Sequence, residues 1–195
     1  AVCRARVLDG GIVGANKAIS IDRRIELPAL TDQDRAAFSL CSELKIDQVA
    51  LSFANRQSDI QSLRELVGDH IRIIAKVESR LGLENLDDIL DAADAILIDR
   101  GDLAKEVPIE DVPLVQKEVI RRANEARVPV YVATNLLESM VVNPRPTRAE
   151  ANDVINTLLD GADGLVLAAE TAIGKFPGGC VRMIRSFINR HDDYK

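Results

Sequence analysis

The sequence has no tryptophan, and aromatic residues make up 3% of its 195 positions. That scarcity removes the stacking platforms on which single-stranded nucleic acid is held. Basic charge is also short: 25 Lys and Arg stand against 31 Asp and Glu, for a net charge of −6 and a pI near 5.0. The electrostatic footprint of a nucleic-acid binder is therefore missing. There are two histidines and three cysteines; Cys3, Cys41 and Cys180 lie far apart, with no pair at metal-ligand or CxxC spacing. These numbers exclude a zinc set and a disulfide scaffold, and the expectation is free thiols in a reducing compartment. No apolar run approaches the ~20 residues of a membrane helix. The opening AVCRARVLDGG has no apolar h-region, so no signal peptide and no membrane partner are expected. It also has no initiating Met, which fits a processed chain or a piece of a longer one.

What is present is alternation. Short runs rich in Val, Ile and Leu fall at 47–53, 71–78, 95–99, 129–134 and 163–169, and each reads as a buried strand. Amphipathic stretches of helical period lie between them. TDQDRAAFSLCSELK opens on Thr31 as an N-cap, with Asp34 three residues on in the manner of a capping box. SDIQSLRELVG and RPTRAEANDVINTLLDG end on Gly68 and Gly161, both C-cap signals. Five such units in succession predict a parallel α/β architecture. No GxGxxG follows a strand and no Walker-type phosphate loop exists, so the phosphate signatures of doubly wound sheets are absent. GGIVG, at 10–14, reads as a turn. Residues 1–28 alternate like short antiparallel strands around it, which places a boundary near Pro28.

The polar chemistry gathers at strand ends, where barrels and open α/β sheets both put their sites. In IRIIAKVES, period two puts Ile74, Lys76 and Glu78 on one face and Ile73, Ala75 and Val77 on the other. The second set is apolar and suits a helix layer. The first sends a Lys and a Glu inward, and buried charges must be paired or bound. Two readings stand: an ion pair plugging the interior, or a metal carboxylate beside a cation for a phosphate or enolate. The next strand ends in Asp99, Arg100, Gly101 and Asp102. Asp102 follows a strand-to-helix turn whose backbone N–H groups are free to hold an anion. Glu78 and Asp102 come from neighbouring strand ends and can share one hard cation such as Mg²⁺. Two further strands end in Thr134 and in Glu170 with Thr171. Taken singly, each of these is as readily a helix cap as a functional group. Arg145 and Arg148, in the loop NPRPTRAE, fit a solvated or structural role equally.

The blocks IIAKVES, DRGDL and ATNLLESMVVNPRPTRAE, with LDGADGLVLAAETAIGKFP, resemble the pyruvate kinase family in register over roughly residues 10–190. The resemblance implies an α/β fold of the (β/α)8 TIM-barrel type, present in part as about five βα units (residues 29–195). A short β segment, residues 1–28, would be the end of the family's small lid domain. It implies a phosphotransferase of the glycolytic type, converting phosphoenolpyruvate and ADP to pyruvate and ATP. Mg²⁺ or Mn²⁺ would be the divalent cofactor, held by Glu78 and Asp102. The family's K⁺ ligands have no counterpart in this chain.

Carried over by position, Lys76 would stabilise the transferring phosphoryl group and the enolate. The backbone at Arg100, Gly101 and Asp102, with Thr134, would hold the substrate carboxylate. Glu170 would sit in the network delivering a proton to the enolate. Lys17, in NKAIS, falls where the family has a lid lysine near the nucleotide phosphates, although NKAISID departs from the family's pattern. Other departures are Ala168 and Ala169 in place of a serine and a glycine, and AKE after Leu103 in place of GVE. Asp99 stands in place of a small residue, adding a negative charge beside the metal site.

The first three barrel strands, most of the lid and the C-terminal domain of the family have no counterpart here. The expectation is little or no activity from the chain alone, and a homo-oligomer or larger complex completing the barrel along its open edges. The expected compartment is the cytoplasm, with an organelle matrix as the alternative. Two other functions fit the residues: a non-catalytic scaffold subunit derived from such a barrel, and a metal-dependent lyase acting on pyruvate or its enolate.

Overall fold

The computed structural model describes residues 6–7, 10–11, 27–38, 40–41 and 43–194. The expected lid segment, 1–28, and its Lys17 fall almost wholly outside them.

Five short strands form one sheet: β1 (Gln48–Leu51), β2 (Arg72–Val77), β3 (Ala95–Asp99), β4 (Val130–Ala133) and β5 (Gly164–Val166). All four neighbouring pairs are parallel, and the spatial order is the chain order. A doubly wound sheet reverses its order at a switch point; this sheet never does, which is the singly wound progression of a barrel wall. Every strand-to-strand connection contains helix: α2 (Gln57–Val67) after β1, then α3 (Arg80–Glu84) and α4 (Leu86–Leu90) after β2. After β3 come α5 (Arg100–Glu106) and α6 (Val112–Ala126), and after β4 comes α7 (Arg148–Leu159). α1 (Asp32–Phe38) precedes the sheet, while α8 (Ala169–Ala172) and α9 (Pro177–Tyr194) follow it.

The period-two pattern decides which face is which. Ile73, Ala75, Val77, Ile96, Ile98, Val130 and Val132 are fully buried against the helix layer. There they meet Ile60 and Leu63 of α2, Ile89 of α4, Leu103 of α5, and Ile120 and Ala123 of α6 in one continuous core. Burying a side chain of this kind is worth about 1.5–3 kcal/mol, so this layer carries the fold. A second cluster, built on Leu136, Leu137, Met140, Val154, Leu158, Cys180 and Ile184, seats α7 and α9. The opposite sheet face carries Lys76, Leu97 and Tyr131, which are register partners across β2, β3 and β4.

Strand starts are pinned by aspartates. Asp94, just before β3, accepts the Ile73 N–H at 2.7 Å, and Asp163, just before β5, accepts the Val130 N–H at 2.8 Å. Each ties the start of one strand to its neighbour and so holds the register. Helix starts use the expected chemistry. The Asp34 carboxylate accepts the Thr31 N–H and hydroxyl at 2.8 and 2.7 Å, and Thr147 and Glu150 form a complete capping box at α7. Gly68 and Gly161 follow α2 and α7 with φ of 80° and 99°, a region that disfavours other residues. Cys41 and Cys180 are buried and free.

Candidate active site

Four strand ends supply the site, and backbone geometry aims them. β2 ends at Val77, so Glu78 is the first residue beyond it and continues the inward face of Lys76. Its side chain is 1% exposed. One carboxylate oxygen lies 2.5 Å from Lys76 Nζ, and the other accepts the Phe53 N–H at 2.6 Å. Phe53 itself has φ of 50°. The turn after β1 therefore presents its N–H to the carboxylate in a left-handed backbone conformation. Lys76 reaches a second carboxylate as well, with Asp99 Oδ2 at 3.3 Å.

Asp99 ends β3 and caps α5. Its Oδ1 accepts the Thr134 hydroxyl at 2.6 Å and the Gly101 N–H at 3.2 Å. The backbone donors expected to be free for an anion thus include one already engaged by the chain itself. The physical reason is local: an Asp at the N-cap satisfies the first unpaired N–H groups of the helix it starts. Asp102, one turn on, is paired with Lys105 at 2.5 Å on the exposed side. One ligand atom from each of Glu78, Asp99 and Asp102 lies within 4.8 Å of the others.

The electrostatics follow from crowding. Burial pushes the Glu78 carboxyl above its usual range despite its ion pair. For Lys76, burial works against the charge, but the carboxylates of Glu78 and Asp99 outweigh it and hold the ammonium above its usual value. Burial also opposes the Asp99 charge, yet the Thr134 hydrogen bond and Lys76 outweigh it and keep that carboxyl below its usual range. An oxygen-only donor set of this kind suits a hard divalent cation such as Mg²⁺ or Mn²⁺. The residues fit such an ion, with Lys76 beside it.

Thr134 (φ 74°) and Asn135 (φ 56°) are both left-handed. They are held by Arg100, which donates through Nε and Nη2 to the Thr134 carbonyl at 3.1 and 2.8 Å. The same guanidinium pairs with both oxygens of Asp153 on α7 and with Gln116 Oε1 on α6. The Arg100 side chain thus points into the helix layer and acts as a brace; what it brings to the site is backbone. Glu170 is 1% exposed. Its two oxygens accept the Leu137 N–H at 3.0 Å and the Ala168 N–H at 2.8 Å. It anchors the loop after β4 and, with Thr134, Asn135, Ala168 and Ala169, lines a small cleft.

Lys76, Glu78, Asp99, Gly101 and Thr134 are therefore joined by direct contacts, Asp102 lies beside them, Glu170 stands one strand away, and Lys17 is outside the described residues. Two further participants are absent from the residues singled out in the sequence. Asp153 is one residue among many on an amphipathic helix, and Glu150 fixes the β4 loop by accepting the Ser139 N–H at 2.6 Å and the Ser139 hydroxyl at 2.5 Å. The capping-box spacing Thr147-x-x-Glu150 was a usable signal for the second; nothing marked the first.

Comparison with known proteins shows a match to the family model "Pyruvate kinase, barrel domain" over residues 2–181. The chain is 43% identical over 189 residues to a pyruvate kinase of Geobacillus stearothermophilus, covering 94% of this chain and 32% of that protein. It is 44% identical over 191 residues to one of Mycobacterium intracellulare (96% and 40%), and 41% identical over 176 residues to one of Clostridium perfringens (88% and 37%). The chain spans 32% to 40% of the length of these curated relatives.

Proposed function

Because the chain belongs to the pyruvate kinase family, we propose that it supplies the phosphoryl-transfer half of such a barrel, acting on phosphoenolpyruvate and ADP. One observation carries the reading: Lys76, Glu78, Asp102 and Thr134 meet at the C-terminal ends of consecutive parallel strands, around carboxylate oxygens close enough to share one cation.

In the proposed reaction the P–O bond of the enol phosphate breaks and a P–O bond to the terminal ADP oxygen forms. The enolate carbon then takes a proton to give pyruvate. Such transfers gain rate from positioning and charge neutralisation more than from covalent chemistry. Glu78 and Asp102 would hold Mg²⁺ or Mn²⁺, which supplies charge neutralisation at phosphoryl and enolate oxygens. Lys76 Nζ is the cation on the same face. The Gly101 N–H and the Thr134 hydroxyl are the donors for the substrate carboxylate. Glu170 contributes by holding the 135–137 loop and the turn at Ala168, on the side from which the proton would arrive. Lys17 is proposed to serve the nucleotide phosphates, with residues 1–28 as the end of a lid domain. K⁺ would be held by family positions outside this chain. β1 and β5, each with one strand neighbour among the described residues, would be completed by further polypeptide, in a homo-oligomer or larger complex. A cytoplasmic setting suits these substrates. Among the described residues no helix is long and apolar enough to cross a membrane.

A second reading, a non-catalytic scaffold, is favoured by one feature: Asp99 already fills the carboxylate donors. Mn²⁺ calorimetry on wild type and Asp102→Asn, with a coupled assay for pyruvate, separates the two. The enzymatic reading expects Mn²⁺ binding that Asp102→Asn weakens about tenfold or more; loss of one such electrostatic contact costs on the order of 10²–10³ in rate. Equal Mn²⁺ affinity in both proteins would remove Asp102 from the metal site.

A further inference from the structure

Three donors converge on the Asp99 carboxylate from three strand ends. The Thr134 hydroxyl comes from the end of β4 at 2.6 Å, and the Gly101 N–H from the turn after β3 at 3.2 Å. Lys76 Nζ comes from β2, at 3.3 Å from the other oxygen. The side chain is 17% exposed, so it lies within the site and is not a surface acid that happens to be near it. A hydroxyl, a backbone N–H and an ammonium arranged about one carboxylate form a complete recognition set for a carboxylate.

The local charge count makes the consequence concrete. Glu78, Asp99 and Asp102 face Lys76 and Lys105, which leaves three negative groups against two positive ones. Without Asp99 the count is balanced, the Thr134 and Gly101 donors are unclaimed, and Lys76 keeps Glu78 as its one carboxylate partner among these groups. With it, an incoming carboxylate meets donors already in use and a like charge at contact distance.

We propose that Asp99 is a built-in occupant of the substrate-carboxylate position, a specificity-determining residue that competes with anionic ligands for Thr134, Gly101 and Lys76. This inference rests on the proposed function in placing the substrate carboxylate there. A ligand carboxylate binds when Asp99 rotates off its donors, and its apparent affinity is reduced by the fraction of molecules in which that has happened. An occupant in place nine-tenths of the time therefore weakens apparent affinity by about tenfold. Ligands that do not call on these donors escape this penalty.

The probe is oxalate, a planar carboxylate whose second carboxyl oxygen a divalent ion can share, titrated calorimetrically into the purified chain at saturating Mn²⁺. Wild type, Asp99→Ala and Asp99→Asn are compared, with Mn²⁺ affinity measured first on each. Asp99→Ala vacates the donors; Asp99→Asn keeps an acceptor for the Thr134 and Gly101 donors, and with it the helix cap, while removing the charge. If Asp99→Ala folds poorly by circular dichroism, Asp99→Asn alone still decides the question. The expected result, with each protein held at its own Mn²⁺ saturation, is oxalate binding tightened about tenfold in Asp99→Ala and by a smaller factor in Asp99→Asn. Weaker Mn²⁺ and oxalate binding in both variants would overturn the proposal and make Asp99 a third metal ligand. Unchanged oxalate affinity with intact Mn²⁺ binding would overturn it while leaving the proposed function standing. Absence of oxalate binding in all three proteins would overturn both.

Discussion

Replacing Lys76 by Met tests the balance of charge at the heart of the site. Glu78 is 1% exposed and has two described partners, Lys76 Nζ at 2.5 Å and the Phe53 N–H at 2.6 Å. Lys76→Met keeps the length and packing of the side chain and leaves a buried carboxylate with one neutral donor. Removing one partner of a buried pair costs about 3–5 kcal/mol. Lys76 is 22% exposed, so water relieves part of that, and about 3 kcal/mol at pH 7 is expected. The pH dependence has a definite sign. Burial already raises the Glu78 carboxyl above its usual 4.5, so the folded chain holds this proton more tightly than the unfolded one. The stability Glu78 contributes is full below pH 4.5 and is lost as pH rises through the higher folded value. Without Lys76 that folded value climbs further, so the cost of the substitution shrinks as pH falls towards 5. Adding Glu78→Gln removes the charge and keeps an acceptor for Phe53, and should restore most of the loss. With no Trp in the chain, urea unfolding followed by far-ultraviolet circular dichroism is the assay. A cost below about 1 kcal/mol at pH 7, or a double variant no more stable than Lys76→Met, would refute the reasoning.

Glu150→Ala removes the capping box of α7 and the anchor of Ser139 together, and should cost about 1–2 kcal/mol by the same assay. Burial works against the Glu150 charge, but the Ser139 and Thr147 donors outweigh it and lower its pKa. Its stabilisation is therefore present above pH 4.5 and fades as pH falls below that, so wild type and variant should converge in acid. Gly164→Ala would place a Cβ 2.6 Å from Tyr131 Cδ1, and should destabilise by about 1–3 kcal/mol. Tyr131→Ser in the same chain should recover most of it, and equal thermal midpoints for wild type and Gly164→Ala would show that the ring moves freely. Arg100→Met breaks charged hydrogen bonds to Thr134, Gln116 and Asp153; a loss of about 2–4 kcal/mol is expected. It should also loosen amide exchange protection at 134–137, and unchanged protection there would show that other contacts hold the loop.

The sheet was legible because its strands are short runs rich in Val, Ile and Leu, and the helices between them carry their own stop signals, although only β3 is buried on both faces while β1 alternates and β5 is half-buried to exposed. The 47–53, 71–78, 95–99, 129–134 and 163–169 runs match the five observed strands; β3 has the bounds of its run, and the other four strands are shorter at both ends. The trimming has a cause: residues such as Phe53, Glu78 and Thr134 leave the ladder to turn their backbone or side chains into the site. Periodicity continues past the last ladder bond, so sequence overshoots there. The α3–α4 pair was not legible. Asn85 ends one short helix and starts the next, with its side chain donating to the Asn55 and Leu81 carbonyls, and no proline or glycine marks that break.

The site was legible as a set of residue types and far less so as a set of contacts. Period two alone puts Lys76 and Glu78 on one face, because a strand leaves a side chain no other choice. Asp99 shares that logic, being two residues beyond Leu97 on the inward face of β3, yet its pattern reads simply as added charge. What the pattern cannot encode is that the β4 end turns left-handed at Thr134 and Asn135, which brings the Thr134 hydroxyl to Asp99. That turn depends on Arg100, whose guanidinium holds the Thr134 carbonyl from 34 positions earlier in the chain while gripping Asp153 from 53 positions later. The family resemblance assigns Arg100 to a carboxylate site through its backbone and gives its side chain no role. In the fold Arg100 spends its side chain on the brace, and its neighbour Asp99 spends a carboxylate on the donors that the brace sets in place. The chemistry of this site is thus decided by which groups the chain has already paired with one another, a property of long-range contacts that spacing along the sequence does not carry.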